Sequence, residues 1–138
     1  MKYVKKDTQT AYGDKKAEFG VSSMTSNLKT VGLLKPMDAL RTADPFRWHY
    51  GQSFDPTKID SNYLSFTKIL TELDVEILWM TPENNDIADS VFTYDASFMT
   101  QKGAILLSPG KPLRKGEEKI HRDFYKSNNI PIIGKTSG

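Results

Sequence analysis

The chain contains no cysteine, and that absence removes a good deal of chemistry: disulfides, thiolate zinc sites and thiol catalysis cannot come from within this polypeptide. Its two histidines, His49 and His121, stand apart and lack the spacing of a ligand set, so no metal is expected. A glycine-rich phosphate loop is missing too, and no cofactor is expected. No apolar run is long enough to span a bilayer, and the basic start Met1-Lys-Tyr-Val-Lys-Lys-Asp-Thr-Gln9 is not followed by the apolar stretch of a signal peptide. A soluble cytoplasmic protein without a membrane partner is the resulting expectation. Charge of one sign is not concentrated either: 19 basic and 17 acidic residues are spread along the chain for a net charge of +2. Nucleic-acid binding usually requires a clustered basic footprint, so nucleic acid is not expected as a partner.

What is present suits one compact unit, since 138 residues with 38% hydrophobic content can build a modest core. Residues 1–18 are polar and aperiodic and read as an N-terminal arm, leaving 19–138 as the folded domain. Leu28 to Leu34 reads as a strand halted by Lys35-Pro36, because proline has no N–H to give a ladder. Asp38 to Asp60 is rich in Asp, Pro and aromatics without regular alternation and reads as a long structured loop. Ile59, Tyr63, Phe66, Ile69, Leu70 and Leu73 then recur at three- and four-residue intervals, the mark of an amphipathic helix capped by Asp60 or Ser61. Strands are predicted over Val75 to Met80, Ala104 to Leu107 and Ile130 to Ile133. A helix is predicted over Arg114 to Ser127, ended by Asn128-Asn129. Two successive strand, helix, strand passages predict an α/β chain.

The chemistry-bearing stretch is Asp89-Ser-Val-Phe-Thr-Tyr-Asp95, followed by Ala104-Ile-Leu-Leu-Ser-Pro-Gly-Lys-Pro-Leu-Arg-Lys-Gly-Glu-Glu118. A guanidinium is flat and presents forked N–H donors, so carboxylates are its natural partners. In an unbroken strand residues six apart share a face, which would let Asp89 and Asp95 converge; alternatively both merely flank the strand at turns. Phe92 between them offers a ring face to a cation, or else belongs to the core. Arg114, a cation at the start of a helix, works against the helix dipole and calls for an anionic partner, unless it is simply exposed. Lys111 and Lys115 read as solvated, and the Asn84-Asn85-Asp86 cluster reads as a turn.

This stretch resembles the guanidine-modifying superfamily of dimethylarginine dimethylaminohydrolases, arginine deiminases and arginine:glycine amidinotransferases. The resemblance implies a partial β/α propeller, about two of the five ββαβ modules of a pentein-type fold. It also implies roles: Asp89 grips the substrate guanidine, Asp95 is the second acidic position, the counterpart of Phe92 lines the pocket, and Arg114 binds the substrate α-carboxylate. Leu33, or its neighbour Leu34, falls where family members contact substrate from a capping loop. Tyr94 stands where dimethylarginine-hydrolysing members usually carry an acid. The family's catalytic glutamate, histidine and cysteine would follow Gly138, so no catalytic residue is assigned and the domain is expected to be truncated before that region.

The functional expectation is therefore the guanidinium-binding front part of an arginine-directed enzyme, hydrolase or amidinotransferase, inactive alone. A non-catalytic binding or self-associating module is the alternative. The expected partners are a small guanidino substrate and either a second copy of the chain or a missing C-terminal part, because an incomplete propeller leaves sheet edges and apolar faces uncovered.

Overall fold

A computed structural model describes residues 19–83 and 85–137. The predicted polar arm lies outside the described residues. Phe19, which directly follows it, is buried in the main core rather than peripheral.

The chain is α/β. β1 (Thr30–Leu34) pairs in parallel with β2 (Glu76–Met80), in register from Thr30 opposite Glu76 to Leu34 opposite Met80. The connection between them carries α1 (Asp38–Arg41), α2 (Pro45–Trp48) and the long α3 (Ile59–Glu72). A second sheet has the order β3-β4-β5, with β3 (Ser97–Thr100) antiparallel to β4 (Gly103–Leu106) and β4 parallel to β5 (Ile132–Lys135). Between β4 and β5 runs α4 (Glu117–Ser127). Each sheet thus contains one strand-helix-strand parallel crossover, the arrangement that joins parallel neighbours.

Both modules contribute to one core of Phe19, Leu34, Met80, Ala104, Leu106, Phe124, Tyr125 and Ile130. Gly32 is what lets α4 lie close over β1: a Cβ there would sit 3.0 Å from the Phe124 ring. Asn129 takes φ 54°, and the amide of Ile130 after it donates to the Tyr125 carbonyl at 2.8 Å, so the residue expected to tolerate a left-handed helix end does so.

Four expectations are corrected. The 38–60 segment is not loop throughout. Asp44 accepts from the Phe46 amide at 2.9 Å and caps α2, whose Pro45 sits at the first turn. Asp55 caps a 3-10 turn, Pro56–Lys58, that runs into α3, so neither Asp60 nor Ser61 is the cap. Asp89 to Asp95 is not a strand: Ala88–Val91 forms a 3-10 turn, and the turn residues after it lead into β3. Local polar side chains outcompete the ladder here. Asn85 accepts from the Ile87 amide at 3.0 Å, and Ser90 donates to the Ile87 carbonyl at 2.7 Å. Finally, Pro112–Arg114 is a separate 3-10 turn preceding α4, with Gly116 at φ 109° between them. A second small core of Leu40, Trp48 and Ala88 fixes α1, α2 and the Ala88–Val91 turn to one another, and this cluster places the functional candidates.

Candidate functional site

Asp89 is buried, and both of its carboxylate oxygens are engaged. Tyr50 Oη donates to Oδ1 at 2.6 Å, and Lys111 Nζ donates to Oδ2 at 2.7 Å. The same ammonium donates to the Trp48 carbonyl at 2.7 Å and lies 4.9 Å from the Trp48 ring centroid and 5.8 Å from that of Tyr50. Lys111 is therefore not a solvated surface lysine. Burial, reinforced by the bond to Asp89, pushes the Tyr50 hydroxyl well above the usual phenol range, so it stays a donor.

Arg114 is the centre of the second half of the cluster. Its Nη1 and Nη2 donate to Asp95 Oδ2 and Oδ1, both at 2.6 Å, while Nε and Nη2 donate to Glu117 Oε1 and Oε2 at 2.8 and 2.6 Å. Such two-pronged pairs are the strongest geometry available to a guanidinium. Its partners respond in opposite ways. Hydrogen bonding by Arg114 holds the Asp95 carboxyl below its ordinary range, whereas burial pushes Glu117 up despite the same arginine. The difference is solvation: Glu117 is 1% exposed, while the Asp95 side chain is 35% exposed. The need for an anionic partner at Arg114 was readable in the sequence, and the structure fills it from inside the chain.

Leu33 and Phe92 lie elsewhere, along an apolar groove of about 890 Å³ that also takes in Tyr63, Tyr94, Phe98 and Phe124. Leu33 is buried in β1, and Phe92 is 45% exposed, hence not core. The five candidate residues are thus divided: Leu33 and Phe92 on the groove, Asp89, Asp95 and Arg114 in the ionic cluster. The segment 92–95 joins the two, because Asp95 follows groove-lining Tyr94 directly.

At the groove wall, Ser97 Oγ is 2.8 Å from His121 Nδ1 and 2.6 Å from Tyr125 Oη. His121 is buried, and loss of hydration lowers its pKa to about 4, so it is neutral at ordinary pH. His49 is exposed at the left-handed end of α2. Among the described residues no group of three or more His, Cys, Asp and Glu could hold a metal ion, and no helix is long and apolar enough to cross a membrane.

Sequence reasoning missed Tyr50, Lys111 and Glu117. Glu117 had a signal, lying three residues beyond Arg114 in the first turn of a helix, where an acid favours the dipole and an i,i+3 pair forms. Tyr50 and Lys111 had none, being 39 and 22 residues from Asp89. Three carboxylates face two cations in this cluster, an excess of one negative charge with an opening at Asp95. It can hold a cation. It contains no thiol.

No family model matches the chain. Over 57 residues it is 35% identical to an uncharacterized protein, YkgA, of Bacillus subtilis strain 168, an overlap of 41% of this chain and 20% of that protein. Among solved structures it superposes on a dimethylarginine dimethylaminohydrolase from Pseudomonas aeruginosa, a cysteine-to-serine variant complexed with citrulline. The TM-score is 0.62 and the identity 23%, over 80% of this chain and 42% of that one. A dimethylarginine dimethylaminohydrolase adduct with 4-chloro-2-hydroxymethylpyridine gives TM-score 0.62 and 22% identity, over 81% of this chain and 42% of that one. A histidine-to-glycine variant bound to S-methyl-L-thiocitrulline gives 0.62 and 24%, over 81% and 43%. The chain spans less than half the length of the proteins it matches. Its fold is that of part of the dimethylarginine dimethylaminohydrolase structures, a partial pentein-type fold, as the motif resemblance implies.

Proposed function

We propose that this chain is the guanidinium-binding portion of a dimethylarginine dimethylaminohydrolase- or amidinotransferase-like protein acting on arginine-type substrates. The observation that carries the proposal is Asp95: an ionised carboxylate, one-third open to solvent, next to an exposed aromatic segment in a cluster with surplus negative charge. Carboxylate lone pairs not taken by Arg114 can accept N–H donors from a flat cation, and Tyr94, the residue before Asp95, lines the apolar groove together with Phe92. In the family such holding is one half of the chemistry; the other half is a thiolate that attacks the guanidinium carbon. This chain has no cysteine, so bound ligand is not turned over by the chain alone.

Calorimetric titration with arginine tests the proposal. Wild type is expected to release or absorb heat saturably, Asp95→Asn to bind at least about tenfold more weakly, and neither to form citrulline. No saturable heat in wild type, or equal affinity in the variant, refutes it.

A second role, self-association with another copy, is favoured by one specific feature. α3 has no fully buried residue, and Phe66, Ile69 and Leu73 form an exposed stripe at 45%, 56% and 67% exposure.

A further inference from the structure

Lys111 occupies a site built for a cation: a buried carboxylate and a backbone carbonyl at 2.7 Å each, and two ring faces, Trp48 and Tyr50, around them. With Tyr50 Oη on the other carboxylate oxygen, Asp89 has neither oxygen without a partner. We infer that Lys111 is an internal latch on Asp89, and that a guanidino ligand engages Asp89 only when this ammonium withdraws.

The inference rests on the guanidinium reading of the cluster and adds to it which residue competes with the ligand. Of the two cations in the cluster, only Lys111 can leave. Arg114 is locked between two carboxylates by four hydrogen bonds, and Glu117 behind it is almost completely buried. The Lys111 side chain is 26% exposed and makes one ion pair. Its ammonium is carried on a flexible four-carbon stem that already reaches solvent, so rotation about that stem suffices. Withdrawal leaves three carboxylates against Arg114 alone. An arriving guanidinium restores the charge balance and meets ring faces suited to a delocalised cation. Asp95 then serves as the open half of the site and Asp89 as the gated half.

The test uses methylguanidinium and calorimetry on wild type, Lys111→Met and Lys111→Gln, with melting curves to confirm that each is folded. Methionine keeps an unbranched stem against Trp48 and removes the charge. Expected is at least about tenfold tighter binding by both variants, with the gain abolished when Asp89→Asn is added. In the unaltered chain, the ε-methylene resonance of Lys111 should move toward that of free lysine as methylguanidinium saturates. That second measurement decides the matter should both variants fail to fold. Wild-type binding with no gain in the variants and no movement of the resonance overturns the latch and leaves the guanidinium reading standing. Absence of binding by every form overturns both.

Discussion

A buried guanidinium clamped by two carboxylates makes removal of either side costly in a lopsided way. In Arg114→Met, Glu117 would be left at 1% exposure with its cation gone. Breaking such a pair costs about 3–5 kcal/mol, whereas replacing both partners by apolar groups costs little. Urea unfolding should therefore show Arg114→Met strongly destabilised and Arg114→Met combined with Glu117→Met substantially recovered; equal losses in the two would contradict the assignment. His121 gives the pH dependence. Its folded value of about 4 lies below its usual 6.5, so between those values the unfolded chain binds a proton that the folded chain refuses. Stability from this residue is fully present above 6.5, falls on acidification to about pH 4 by up to about 3 kcal/mol, and changes no further below. Asp95, held low by Arg114, adds loss in the same direction at lower pH, while Glu117, held high by burial, opposes it. His121→Gln should flatten the stability profile between pH 6.5 and 4 relative to wild type, and an unchanged slope would contradict it. At this scale the identity of the charged residues was legible in the sequence, because Asp89, Asp95 and Arg114 stand out by type. Their partners were not: a lysine in a Pro-Gly turn reads as solvated, and nothing local ties Tyr50 to Asp89.

Elements were legible where a single periodicity dominated. The stripe from Ile59 to Leu73 gave α3, and the Pro and Asn stops bounded β1, β2 and α4 within a few residues. Burial did not follow from the pattern: the first turns of α3 engage the fold, with Tyr63 donating to the Leu34 carbonyl at 2.7 Å, while its later apolar residues face solvent. Asp89 to Asp95 was misread because its Val, Phe, Thr and Tyr residues suit a strand, whereas Asn85, Ser90 and the turn carbonyls give the backbone nearer partners. β3 went unseen for the opposite reason, since four residues whose alternation depends on a hairpin partner carry little signal alone. That hairpin yields a sharp prediction. Gly103 has φ 144°, and a Cβ there would collide with the Pro131 carbonyl oxygen. Gly103→Ala should cost on the order of 3 kcal/mol or more in thermal unfolding, from backbone strain and collision together. Gly110→Ala, with nothing within 4 Å, should be tolerated.

For the whole molecule, the α/β class was readable from the strand-helix-strand periodicity, and the partial-pentein fold from the family resemblance of the Asp-Ser-Val-Phe-Thr-Tyr-Asp run. The division of the site into a groove and an ionic cluster was not, because it depends on the small core of Leu40, Trp48 and Ala88 that turns the 38–60 segment toward Asp89. The exposed α3 stripe predicts association at micromolar to millimolar concentration. Light scattering on Ile69→Lys combined with Leu73→Lys should return a monomer of undiminished stability, and an identical mass for wild type and variant would count against that role. The most direct check on cation holding is a heteronuclear NMR titration of the isotope-labelled chain with arginine. Saturable shifts should gather at the amides of residues 92–96 and at the Arg114 Nε resonance, and they should vanish in Asp95→Asn. Shifts scattered over the surface, or none at all, would contradict a guanidinium site at this acidic cluster.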